Sequence, residues 1–82
     1  MRYRLEIKDE ARERLRAMPK EQRRNIGWRL DQMQTDLAGD VKKLEARTHE
    51  YRLRVGNSRV LFMLEDDLII VYAVKDRKEA YE

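Results

Sequence analysis

The sequence predicts an α+β domain in the order β-α-α-β-β-β, with an N-terminal strand and a helical hairpin packed on an antiparallel sheet. Three observations carry that expectation. Apolar and charged residues alternate at the start of the chain and again from residue 51 to residue 55, the period of a half-buried strand. Between these segments apolar residues recur three and four apart, the period of a helix. After residue 51, strand-like segments follow one another across short turns, as in an antiparallel meander.

In the first strand, residues 2–8, Tyr3, Leu5 and Ile7 share one face and Arg2, Arg4, Glu6 and Lys8 the other. Asp9 is the expected N-cap of the first helix, with Glu10 in its first turn. Ala11, Leu15 and Met18 form the apolar face of that helix. Pro19 ends it, because the residue before a proline avoids the α region. The second helix is expected from Lys20 to about Ala38, with Ile26, Leu30, Met33 and Leu37 as its stripe and Gly39 as its stop. Trp28 lies at the edge of the stripe and reads as a partial cap on the core. Residues 40–50 are polar and read as an irregular connection anchored by Val41 and Leu44, with His49 as a loop residue.

Tyr51, Leu53 and Val55 then face one way and Arg52 and Arg54 the other. Gly56-Asn57-Ser58 is a turn cluster, Arg59–Leu64 the next strand, and Glu65-Asp66-Asp67 an acidic turn. Leu68–Val74 is a continuous apolar run, expected as the central strand of the sheet.

With 82 residues the chain supports one domain, residues 1–82. Charged residues make up 43% of it, against about 25% in an average domain, yet the apolar periodicity argues for a folded chain. Net charge is +3 and the pI about 9.4, consistent with a polyanionic partner. Residues 1–50 carry 13 Lys/Arg and 10 Asp/Glu, whereas residues 51–82 carry 6 of each, so the second half hides a basic cluster behind its acidic turn. The absence of cysteine excludes disulfides, thiolate nucleophiles and Cys-based zinc sites, and one histidine cannot build a His-rich metal site. No segment approaches the ~20 apolar residues of a membrane span, and the first residues lack a signal-type run. The expectation is a soluble cytoplasmic protein without metal or cofactor.

Candidate chemistry gathers at one end of the meander. Arg52 and Arg54, at i and i+2, project from one strand face, and Arg59 opens the next strand across a tight turn. The last strand returns to deliver Lys75, Arg77 and Lys78. Guanidinium groups bind phosphate oxygens bidentately and keep their charge at ordinary pH. Such a face suits a phosphodiester, either to position RNA or to stabilise the charge of a pentavalent transition state. Tyr81 is placed to stack on a base or donate a proton. The plainer reading is a solvated sheet face followed by a mixed-charge terminus.

At Tyr51-Arg52-Leu53-Arg54-Val55-Gly56-Asn57-Ser58-Arg59-Val60-Leu61-Phe62 the sequence resembles the hairpin of the RelE/ParE toxin superfamily, and the element order of the whole chain is similar to that family's. The resemblance, nearest the RelE-like branch, implies a toxin of a type II toxin–antitoxin system. Its partner would be a cognate antitoxin, in a hetero-oligomer. RelE-like members are messenger-RNA endoribonucleases acting in the ribosomal A site, where the 2′-hydroxyl attacks the adjacent phosphate without a metal. ParE-like members share the fold and poison DNA gyrase, the alternative activity. A catalytically weak relic that only binds antitoxin is a third.

Carried over by position, the resemblance implies a catalytic role for Arg54, Arg59, Arg77 and Tyr81, and RNA binding by Arg52, Lys75 and Lys78. Arg52 and Arg54 stand where RelE has lysines, Asp76 where many relatives have histidine, and Ser58 where tyrosine is usual. Arginine is a poor general base, its pKa being above about 12.

Overall fold

The computed structural model describes residues 2–37, 40–44 and 49–76. Seven elements run in the order β1 (Arg4–Ile7), α1 (Asp9–Ala17), α2 (Lys20–Asp36), β2 (Asp40–Lys43), β3 (Glu50–Val55), β4 (Ser58–Glu65) and β5 (Leu68–Asp76). They build one five-stranded sheet, ordered β1-β5-β4-β3-β2. Strands β2 to β5 pair antiparallel, and β1 lies parallel to β5 with Arg4 opposite Leu68 and Ile7 opposite Val71. The α+β class and the antiparallel meander agree with the sequence pattern. The central strand is β4, however, not the apolar run of β5. That run is apolar because β5 is also paired along both edges, between β1 and β4.

The core lies between the helices and one face of the sheet. Ile26, Leu30 and Met33 of α2 and Ala11 of α1 meet Leu53, Val60, Phe62, Ile69, Val71 and Val74, all buried. Leu15, Met18, Leu37 and Val41 pack around them, as the apolar stripes require. Tyr51 stacks on Phe62 across the β3–β4 pair, with ring centroids 5.5 Å apart. Each fully buried aliphatic or phenyl side chain is worth about 1.5–3 kcal/mol, so these residues supply the main drive to fold.

Local details depart from expectation where local chemistry was overruled. Lys8, not Asp9, occupies the N-cap of α1 in an extended conformation, and no side chain caps the helix. The Lys8 amide instead donates to the Val71 carbonyl, 2.8 Å, fastening β1 to β5 at the helix entry. Helix α2 ends at Leu37, whose φ of 53° puts it in the left-handed region and whose amide bonds the Met33 carbonyl, while Gly39 lies outside the described residues. Asp40–Lys43, expected to be irregular, pairs with β3 as an edge strand. Trp28 does not cap the core: it is 57% exposed, with the Arg29 guanidinium 5.5 Å from its ring centroid. Two residues from both Ile26 and Leu30, at about 100° of turn per residue, it sits on the side of α2 away from the buried Ile26–Leu30–Met33 line. No described helix is long and apolar enough to cross a membrane.

Two turns set the register of the meander. Val55 pairs with Ser58 around Gly56-Asn57, and Glu65 with Leu68 around Asp66-Asp67. Gly56 has φ 58°, where a Cβ is strained even though nothing lies within 4 Å of one. We expect Gly56→Ala to lower stability by about 1–2 kcal/mol through backbone strain alone. Chemical denaturation checks this, and an unchanged midpoint would contradict it.

At the acidic turn, the Arg4 guanidinium donates to the Asp67 carboxylate at 2.9 Å and closes the end of the β1–β5 pair. This hydrogen bond, with the attraction of the charges, holds the Asp67 carboxyl below the usual carboxylate range. A depressed carboxylate pKa adds stability in full above its unfolded value, and that stability is lost as pH falls through the folded value. Both groups are exposed, so the effect is small and screened by salt. Asp67→Asn should therefore shallow the acid limb of thermal stability at low ionic strength. Matching acid limbs in variant and parent would rule the pair out as a contributor.

Candidate nucleic-acid interface

Strand alternation assigns each side chain of the meander to one of two faces. Leu53, Val60, Phe62, Val71 and Val74 turn toward the helices and are buried. Their neighbours must then turn to the face that no described helix covers. Register places Asp40 opposite Arg54, Arg54 opposite Arg59, and Arg59 opposite Lys75. Directly opposed residues share a face with Cα atoms about 4.5–5.5 Å apart. Three cations from three strands therefore stand in one row on the open face, at the end of the sheet nearest the Gly56-Asn57 turn. Arg54 and Lys75 are exposed and Arg59 half-buried. Like charges directly opposite one another oppose pairing, by roughly 0.2–1 kcal/mol a pair.

The next row inward holds Lys42, Arg52, Leu61 and Ala73 in register. Lys42 is a cation that sequence reasoning missed, because it belongs to the unforeseen strand β2. Arg52 is half-buried, and its Nη1 is inaccessible and has no hydrogen-bond partner. An unmet guanidinium donor is costly and marks a place where an acceptor is wanting.

Further along the face, Tyr72 donates its phenolic hydrogen to Glu50 Oε1 at 2.7 Å. Tyr72 reaches Glu50 from β5 across β4. A register shift allows it: Leu61 pairs with Ala73 and Phe62 with Val71, which leaves Tyr72 as the extra residue of a bulge. Neither residue stood out in the sequence, where Tyr72 was one member of an apolar run.

The sequence departures also find their places. Ser58 is buried on the helix side, where its Oγ accepts from Gln22 Nε2 at 2.6 Å. It ties α2 to the turn beneath the cationic row. Asp76 is paired with Ser58, so alternation puts it on the opposite face from Lys75 and out of the row. Arg77, Lys78 and Tyr81 lie outside the described residues. Of the expected site residues the structure brings Arg54, Arg59 and Lys75 into one row and Arg52 beside it.

No model of a known protein family matches the chain. Toxin RelE3 of Methanocaldococcus jannaschii is 40% identical over 47 residues, which cover 57% of this chain and 53% of that protein, so the match spans about half the relative's length. In solved structures, the fold is similar to a chain of the RelB–RelE antitoxin–toxin complex from Methanococcus jannaschii, with a TM-score of 0.80 and 28% identity over 93% of this chain and 94% of that one. It is equally similar to a chain of the archaeal RelE–RelB complex from Pyrococcus horikoshii OT3, with a TM-score of 0.81 and 28% identity over 94% of this chain and 97% of that one. In hairpin motif, strand order and near full-length structure the chain is similar to RelE toxins, the RelE-like branch of the RelE/ParE superfamily.

Proposed function

We propose that this protein is the toxin of a toxin–antitoxin pair and an endoribonuclease that cleaves messenger RNA in the ribosomal A site. The observation that carries the reading is the row of Arg54, Arg59 and Lys75 set by the register of three strands. Converging cations on the sheet face opposite the described helices match a phosphodiester in charge and in hydrogen-bond geometry.

In this reading Arg54 and Arg59 hold the scissile phosphate and Arg52 the neighbouring backbone. Lys75, with Lys78 beyond the described residues, adds further backbone contacts. The 2′-hydroxyl attacks the phosphorus and the bond to the 5′-oxygen breaks, leaving a cyclic phosphate and a free 5′-hydroxyl. Fixed guanidinium donors lower the barrier by neutralising charge that develops on the phosphoryl oxygens. Arg77 stabilises the leaving oxygen and Tyr81 orients the 2′-hydroxyl or stacks on a base. Because arginine cannot take a proton at neutral pH, catalysis rests chiefly on this electrostatic stabilisation. The site of action makes the protein cytoplasmic.

The relatives of similar fold from Methanococcus jannaschii and Pyrococcus horikoshii are seen in complexes with RelB antitoxins. By the same reading this chain binds a cognate antitoxin, which stabilises it by mass action.

Inducible expression in bacteria, with primer extension on a highly translated message, tests the proposal. Cuts confined to translated codons are expected, with Arg59→Ala reducing them roughly a hundredfold or more, the scale of losing one oxyanion-hole donor. Growth arrest without cuts would move the search to DNA gyrase. Cuts undiminished by Arg59→Ala would remove that residue from the site.

A further inference from the structure

A small cleft lies on the helix side of the turn beside the cationic row. Gln22 and Asn25, three residues apart on α2, form one wall, and Val55, Gly56 and Asn57 form the other. Its volume is about 230 Å³. Sites for drug-sized ligands span roughly 300–1,000 Å³, so this one suits a single flat ring system. Although 43% of the chain is charged, the described lining of this cleft holds no charge. The clefts beside Lys20 and Arg24 and beside Glu10 and Glu13 do hold charges. Three carboxamides line it instead, over a half-buried Val55. Gln22 is held in place, because its Nε2 donates to the buried Ser58 Oγ at 2.6 Å. A carboxamide has two N–H donors and an acceptor oxygen, so that bond commits one donor only. Arg54 precedes Val55 and Arg59 follows Ser58, which sets the row and the cleft on either side of one two-residue turn. Gly56 forms the rim between them, and even an added Cβ there would meet nothing within 4 Å.

Resting on the reading of the row as the RNA backbone site, we propose that this cleft is a base pocket that prefers adenine. The backbone lies across the row, and the base of an adjoining nucleotide, splayed from the strand, turns over Gly56 into the cleft. Neutral carboxamides select a neutral partner by its pattern of donors and acceptors. Asparagine and glutamine each pair bidentately with N6 and N7 of adenine. Adenine carries a donor–acceptor edge on each side of its amino group, N6 with N7 and N6 with N1. The amino group has one hydrogen for each edge, so carboxamides from both walls read the base at once. Cytosine has one such edge. Uracil has a single N3–H to share between its two carbonyl oxygens. Guanine offers only acceptors, O6 and N7, where adenine offers N6 and N7. Val55 packs against the ring face. The pocket positions the strand and takes no part in bond breaking.

The test is equilibrium binding of labelled oligouridine carrying one adenine, guanine or cytosine, at low salt, to the wild-type protein and to Asn25→Ala and Asn57→Ala. Both asparagines are exposed and outside the core, so the variants keep the fold. A strand with one adenine should bind the wild type about tenfold more tightly than oligouridine, within the usual worth of one bidentate base contact. Each variant should cut that ratio to about threefold or less while keeping the affinity for oligouridine, which also reports an intact fold. Equal affinities in the wild type, a preference for guanine or cytosine, no measurable binding, or an adenine preference intact in both variants would overturn the pocket. An adenine preference in a protein that cuts no message in cells would sink the nuclease reading and leave the pocket standing. Cuts at translated codons without any base preference in binding would do the reverse.

Discussion

The hydrogen-bond register of β4 with β3 and β5 fixes both the core and the candidate site of this protein. Val60 and Phe62 must point at the helices, because with Leu53, Ile69, Val71 and Val74 they fill the core beneath Ile26, Leu30 and Met33. Once they do, Arg59 must point away, and the ladders set Arg54 and Lys75 on either side of it. A slip of one residue would exchange the faces, burying the cations and exposing the core. The two-residue turns at Gly56-Asn57 and Asp66-Asp67 leave no slack for such a slip. Hydrophobic burial thus fixes which strand positions share the open face.

The two faces of the sheet differ in regularity. The open face gathers like charges, contains a guanidinium with an unmet donor at Arg52, and carries a bulge that interrupts an otherwise regular ladder. Each is a departure from what packing alone would select, and such departures tend to collect at functional sites. The helix side shows none of them: Ser58, a buried polar residue there, has its partner in Gln22.

Much of this was readable from residue order. The alternation in Tyr51–Val55 and the stripe Ile26, Leu30, Met33 correctly assigned the buried faces, and with them the outward direction of Arg52 and Arg54. The meander then implied that Arg54, Arg59 and Lys75 would meet. What escaped was decided by partners distant in sequence. Asp40–Lys43 has one apolar residue, Val41, and becomes a strand because β3 offers it an unpaired edge. The parallel pairing of β1 with β5 joins opposite ends of the chain and has no local signal. The Tyr72 bulge is a relation between two strands, invisible in either one. Trp28 was misplaced because helical spacing at the edge of a stripe does not fix which way a large ring turns.

The central claim is that three residues aligned by sheet register hold one stretch of RNA backbone. The salt dependence of RNA binding tests it most directly, because each phosphate contact with a single strand contributes a slope of about −0.7 to log K against log salt concentration. Arg54→Ala, Arg59→Ala and Lys75→Ala should each shallow that slope by about this amount, with Arg23→Ala on the helical side as a control that leaves it unchanged. Slopes that stay at the wild-type value in all three sheet variants would show that the aligned cations do not carry the RNA.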